Sequence, residues 1–179
     1  MPMIEHRNYE LDLEVRAGDD GRTVCGIVVP YNFEQRINSQ LTEVFRPGAF
    51  AAVTRAAHRV KLLVSHDSNA LPIGRATKLE ETPAGLYGEF KVSKTDRGDQ
   101  ILELVRDQAL TEFSIGFAPL KDRKTATGVV ERLKAHLAEV SLVTFGAYGE
   151  NAVVSAVREL EQGRPNLEAA QALLDSLKK

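Results

Sequence analysis

Stretches with a strict two-residue alternation recur along this chain, and no regular succession of helices separates them. That pattern constrains the fold more than any other feature. It predicts an antiparallel sheet or barrel of about six to eight strands in an α+β protein, surrounded by helices, and it argues against a doubly wound sheet. The clearest case is residues 111–117, where Phe113, Ile115 and Phe117 point one way and Glu112, Ser114 and Gly116 the other. Residues 9–16 alternate apolar at odd positions with charged at even ones, which predicts a strand with one wet face. The turn composition at 18–21 and a second strand over 23–29 complete a predicted hairpin.

Further along, residues 60–64 read as a buried strand ending at Ser65, His66, Asp67 and Ser68. Segments 73–79 and 85–92 pair around the turn chemistry of 81–84. Two shorter stretches are helical. Pro47 opens a short helix through Ala57, and a capping pattern at 93–96 opens a longer one to about Gln108, with Ile101, Leu104, Val105 and Gln108 on one stripe. Residues 121–128 read as a charged, mobile hairpin loop, and 129–145 as the longest extended stretch. Residues 153–160 fit a helix, and 166–179 a last amphipathic one with Leu167, Ala170, Leu174 and Leu177 on one face. Such a helix is marginal alone, so its apolar face is expected to bury against the barrel, a second copy of the chain, or a scaffold.

The 179 residues suffice for one core-bearing domain, with 43% hydrophobic and 27% charged side chains. A net charge of −2 points to neither a nucleic-acid nor an anionic-membrane partner. No apolar run is long enough to span a bilayer and the first residues lack the layout of a signal peptide, so a soluble, cytosolic protein is expected. A single cysteine, Cys25, excludes an intrachain disulfide and reads as a small core residue.

Few polar residues stand where chemistry is practicable. Ser114 is a small hydroxyl on a stiff strand, with a glycine leaving space beside it. Of the four histidines, His6 is expected in a frayed terminus, His58 at a helix end and His136 within the long strand; His66 directly follows an apolar strand. Glu139 lies in a buried-looking strand, where a carboxylate needs a partner. His66 with Asp67 also suits a metal-dependent hydrolase, but no third ligand stands at ligand spacing, and neither a metal nor another cofactor is expected.

Six blocks, in order, carry a resemblance: Phe45-Arg46-Pro47-Gly48-Ala49-Phe50; Leu62 to Asp67; Pro72-Ile73-Gly74-Arg75; Gly85-Leu86-Tyr87; Phe113 to Phe117; and Leu137 to Val143. Together they resemble the prohead proteases of tailed bacteriophages, the HK97 type, over roughly residues 20–155. That family is similar in fold to the herpesvirus assemblins, which implies a β-barrel serine protease wrapped in helices. The resemblance places a protease domain over 1–160 and the amphipathic helix over 161–179. It implies a serine endopeptidase that cleaves scaffolding protein, or the scaffolding segment of the major capsid protein, with self-cleavage. It further implies work inside the immature capsid in the host cytoplasm, and pairing through helices into a homodimer.

The resemblance also assigns roles: Ser114 as nucleophile, His66 as general base and Glu139 as the group orienting His66. Elementary chemistry agrees, because a serine hydroxyl needs an imidazole to take its proton and the imidazole needs a partner that fixes its tautomer. His136 stays open as an alternative third member, as in the assemblins. Three residues apart, His136 and Glu139 face opposite sides of a regular strand, so only one reaches His66 unless a bulge intervenes. A non-catalytic capsid- or scaffold-binding barrel of the same fold is the competing reading.

Overall fold

The computed structural model describes residues 3–9, 13–16 and 20–144. The described residues hold ten strands: β1 (Glu5–Tyr9), β2 (Leu13–Arg16), β3 (Thr23–Pro30), β4 (Gln35–Arg36), β5 (Thr42–Phe45), β6 (Lys61–Val64), β7 (Gly74–Glu81), β8 (Gly85–Val92), β9 (Glu112–Lys124) and β10 (Val130–Val143). Among the described residues two helices interrupt them, α1 (Ala51–Thr54) and α2 (Asp96–Arg106), with a 3-10 turn over Ala57–Arg59. All ten strands join one sheet in the order β1-β9-β10-β6-β7-β8-β3-β2, with β5 added to β10 and β4 to β5. The count exceeds the expected six to eight because β4 and β5 are short and the first expected strand is two. The sheet is mixed rather than antiparallel, since β10 runs parallel to both β5 and β6.

The first sixteen residues differ most from the reading of the sequence. Alternation alone makes 9–16 one strand, but Tyr9 ends β1, which pairs with β9, and Leu13 begins β2, which pairs with β3. These two strands are the opposite ends of the sheet order. Four residue steps of about 3.5 Å span no more than ~14 Å, so the sheet must curl until its ends approach. β3 accordingly packs against both β9 and β1. Residues 121–124, expected in a mobile loop, continue β9, because Arg132, Glu131 and Val130 of β10 pair with them.

Inside the curl lie Phe45, Phe50, Phe90, Phe113, Phe117, Leu62, Leu86 and Leu142, all fully buried. Phe45 stacks near Phe50 and meets Phe117 edge-on at 5.1 Å between ring centroids. Cys25 is buried too. Thr95, not Ser93, caps α2, its hydroxyl accepting from the Gly98 amide at 3.0 Å. The buried stripe of α2 is Gly98, Ile101, Leu102 and Val105, so Leu104, expected inside, is exposed and Leu102 takes its place. Among the described residues no helix is long and apolar enough to cross a membrane. The expected helices at 153–160 and 166–179, and the boundary at 160, lie outside the described residues.

One close approach holds two strands together. A Cβ on Gly74 would stand 2.2 Å from the Lys91 carbonyl oxygen of β8, backbone that has no room to yield. Gly74→Ala is expected to cost about 1–3 kcal/mol, read as a lowered melting temperature. An unchanged melting temperature would mean that β7 and β8 can separate freely at this point.

Candidate active site

Three strands and one turn bring the site together. Ser114 stands on β9, flanked by Asn8 of β1 on one side and Ser141 of β10 on the other. Glu139 lies two residues before Ser141, on the same face of β10 and opposite Gly116. His66 arrives from β6, which runs parallel to β10 as far as Val64 opposite Leu142. There the chain doubles back over β10. Ser65 and His66 both take left-handed backbone conformations, with φ of 51° and 57°. Such conformations are uncommon in non-glycine residues and persist where surroundings over-determine them. Here the Ser65 amide donates to the Leu142 carbonyl at 3.0 Å, and the His66 amide donates to the Ser141 hydroxyl at 3.0 Å.

The result is a continuous hydrogen-bonded chain. His66 Nε2 lies 2.6 Å from Ser114 Oγ, and His66 Nδ1 lies 2.7 Å from Glu139 Oε1. The second carboxylate oxygen, Oε2, accepts from the Ser141 hydroxyl at 2.8 Å. With Nδ1 donating to the carboxylate, Nε2 carries the lone pair and faces the serine hydroxyl. Gly116 makes room for this: a Cβ there would come within 2.4 Å of Glu139 Oε1. The space beside the serine, anticipated from the glycine, is filled by the carboxylate.

A bulge decides the third position. The register between β9 and β10 shifts between Leu137 and Glu139, leaving Ala138 unpaired. The shift resets the alternation, so His136 and Glu139 both lie opposite even-numbered residues of β9, Ala118 and Gly116. This is the bulge that the rule of opposite faces on a regular strand excepts, and distance along the strand separates the two residues instead. Glu139 contacts His66, whereas His136 is exposed and farther along, beyond Leu137.

Two further residues belong to the arrangement and were not singled out from the sequence. Ser141, fully buried, ties the His66 backbone to the Glu139 carboxylate. Its only sequence signal is the two-residue spacing from Glu139. His6 is not in a frayed terminus: it lies in β1 opposite Gly116, its ring stacked on His66 at 3.9 Å between centroids. Burial first, then the neighbouring His66, holds the His6 imidazole below the ordinary histidine value, Arg7 adding to this and Glu139 opposing it. No sequence pattern marks His6, because its place depends on the pairing of β1 with β9.

His6, His66 and Glu139 present ligand-type atoms within 4.8 Å of one another, close enough to hold a metal ion. Both nitrogens of His66 are, however, already engaged by Glu139 and Ser114. Asp67, the other ligand of the metal-hydrolase reading, is exposed and accepts from the amides of Asn69 and Ala70, which makes it a turn-capping residue. Residues 146–149, whose two glycines would allow close backbone approach to an oxyanion, lie outside the described residues.

A curled, mostly β fold carrying a hydroxyl–imidazole–carboxylate chain has the layout used by serine hydrolases. The chain belongs to the family of caudovirus prohead serine proteases, whose family model matches residues 10–165. Over 123 residues, 66% of the chain, it is 28% identical to the prohead protease of Enterobacteria phage HK97. It spans about half, 54%, of the length of that relative. The solved structure of the bacteriophage T4 capsid assembly protease has the same fold, with a TM-score of 0.56 at 10% identity, over 79% of this chain and 98% of that one.

Proposed function

We propose that this chain is a serine endopeptidase of phage capsid maturation. Its substrates on this reading are scaffolding protein or the scaffolding segment of the major capsid protein, cut inside the immature capsid of the host cell. The observation that carries the proposal is the unbroken chain from Ser114 Oγ through His66 to Glu139. Family membership supports it. In the first step Ser114 Oγ attacks the scissile carbonyl carbon while His66 Nε2 takes the hydroxyl proton. Glu139 holds Nδ1–H and stabilises the imidazolium that forms. His66 then passes the proton to the leaving amine, and water, deprotonated by His66, releases the acyl group from Ser114. Self-cleavage, pairing into a homodimer and an assemblin-like barrel belong to the same proposal.

The direct test is an alkyl fluorophosphonate, which reacts with an activated serine. Mass spectrometry is expected to find the adduct on Ser114, with loss of cleavage of a co-expressed scaffolding or capsid protein. An unlabelled Ser114 in a folded chain would leave the non-catalytic binding barrel as the better reading. A second variant probes the carboxylate without touching it. Gly116→Ala puts a methyl group 2.4 Å from the present position of Glu139 Oε1, and moving Glu139 off His66 is expected to slow cleavage about 10²-fold or more. The rate, taken beside a circular-dichroism melt that shows the sheet intact, checks it; an unchanged rate would mean that Glu139 need not stand where it does.

A further inference from the structure

Strand β1 lies where a substrate strand would be expected. It is added antiparallel to the edge of β9 beside Ser114, and the Ser114 hydroxyl lies 3.0 Å from the Arg7 carbonyl oxygen. Extended peptides commonly bind by adding a strand to an exposed edge, main-chain bonds giving affinity and side-chain pockets giving selection. The residue whose carbonyl meets the nucleophile is the one before the scissile bond, and that place is held by Arg7. The contact is unproductive. Hydrolysis needs Oγ to face the carbonyl carbon, whereas here the hydroxyl faces the oxygen, and its single proton has two acceptors, Arg7 O and His66 Nε2.

The Arg7 side chain points inward and is buried, against a fully buried carboxylate, Glu43 of β5. Arg7 Nε lies 2.5 Å from Glu43 Oε1 and its Nη2 3.3 Å from Oε2, while the guanidinium sits 5.3 Å from the centre of the Phe117 ring. Arg132 of β10 holds the other oxygen, Oε2, from Nε at 2.8 Å and is shared with Asp122 at 2.6 Å. Glu5, also on β1, contacts both arginines. If β1 leaves, Glu5 and Arg7 leave together. One cation, Arg132, then remains between two carboxylates, Glu43 and Asp122, and Glu43 Oε1 loses its Arg7 partner. A buried carboxylate oxygen without a partner is costly. An incoming arginine restores the pair, an acidic side chain is repelled, and an apolar one leaves the oxygen bare.

We infer that Glu43 determines specificity for a basic residue, arginine above lysine, immediately before the scissile bond, and that β1 is a displaceable pseudosubstrate filling that pocket. Arginine is favoured because its planar fork reaches both carboxylate oxygens, as Arg7 does. The inference rests on the serine-protease reading above and names the substrate class of that same site.

The test uses the full chain and three serine-directed reagents: an aminoalkyl diphenyl phosphonate with an arginine-like guanidino side chain, its neutral citrulline-like isostere, and a plain alkyl fluorophosphonate. The guanidino reagent is expected to label Ser114 on the order of a hundredfold faster than its isostere, because only it pairs with the buried carboxylate. In Glu43→Gln that ratio is expected to fall towards one. Equal rates for the two phosphonates on the unaltered chain, with Ser114 still labelled by the fluorophosphonate, would overturn the inference while leaving the protease reading in place. Absence of labelling by all three would remove the protease reading and this inference with it. The comparison on the unaltered chain decides alone should Glu43→Gln not fold.

Discussion

Replacing Ser114 with alanine is expected to lower peptide-bond cleavage about 10⁴-fold or more, because it removes the oxygen that attacks and leaves only whatever the cleft contributes by binding. The fold should survive. Ser114 is buried between β1 and β10, and alanine differs from it by one oxygen, whose hydrogen bonds run to His66 and to the Arg7 carbonyl. The Arg7 carbonyl would lose that hydroxyl, worth about 1 kcal/mol, too little to unfold a domain. Cleavage of a scaffolding or capsid substrate, followed by gel beside a thermal melt, separates the two effects. A variant that cuts at the parental rate would remove Ser114 from the nucleophile's role.

Glu139→Gln carries the second large expected loss, about 10³–10⁴-fold in rate at neutral pH. The carboxylate accepts from Nδ1 of His66 through one oxygen and from the Ser141 hydroxyl through the other. A glutamine has only one such oxygen. If Ser141 keeps it, the amide nitrogen faces His66 and donates to Nδ1, which drives the ring proton to Nε2. The lone pair that should take the serine proton is then gone. His136→Ala serves as the contrast: His136 is exposed and stands beyond the bulge, so its loss is expected to leave the rate at the parental level. If His136→Ala loses activity while Glu139→Gln keeps it, the third position belongs to the histidine.

The contacts of His66 show two kinds of positioning. Glu139 acts on the imidazole itself, whereas Ser141 acts on both the carboxylate and the backbone amide of His66. That amide belongs to a residue held at positive φ, so the turn carrying His66 is fixed by a neighbour on another strand rather than by its own sequence. Rigid strands set the serine and the carboxylate, and a strained turn clamped onto one of them sets the base.

Much of this was determined by the sequence alone. The alternation of 113–117 gives a strand with Ser114 opposite the core side chains Phe113, Ile115 and Phe117, because side-chain direction along a strand is a local, two-residue property. Residues 74–92 give a hairpin around Thr82, and the capping pattern at 93–96 places the start of α2 to within two residues, because turns and caps are satisfied by groups a few residues away. What local chemistry cannot encode is which distant strands become neighbours. His66 meets Glu139 across 73 residues and Ser114 across 48, and the serine meets the Arg7 carbonyl across 107. Those contacts depend on the parallel pairing of β6 with β10, on the unpaired Ala138 and on the curl that brings β1 beside β9. Tertiary structure alone decided that 9–16 divides between the two ends of the sheet, that a bulge sets His136 and Glu139 on one face, that His6 stacks on His66 and that Arg7 fills a buried acidic pocket. The physical reason is the same each time: sheet register is fixed by burying side chains from segments far apart in the chain, and a one-residue slip turns every following side chain to the other face.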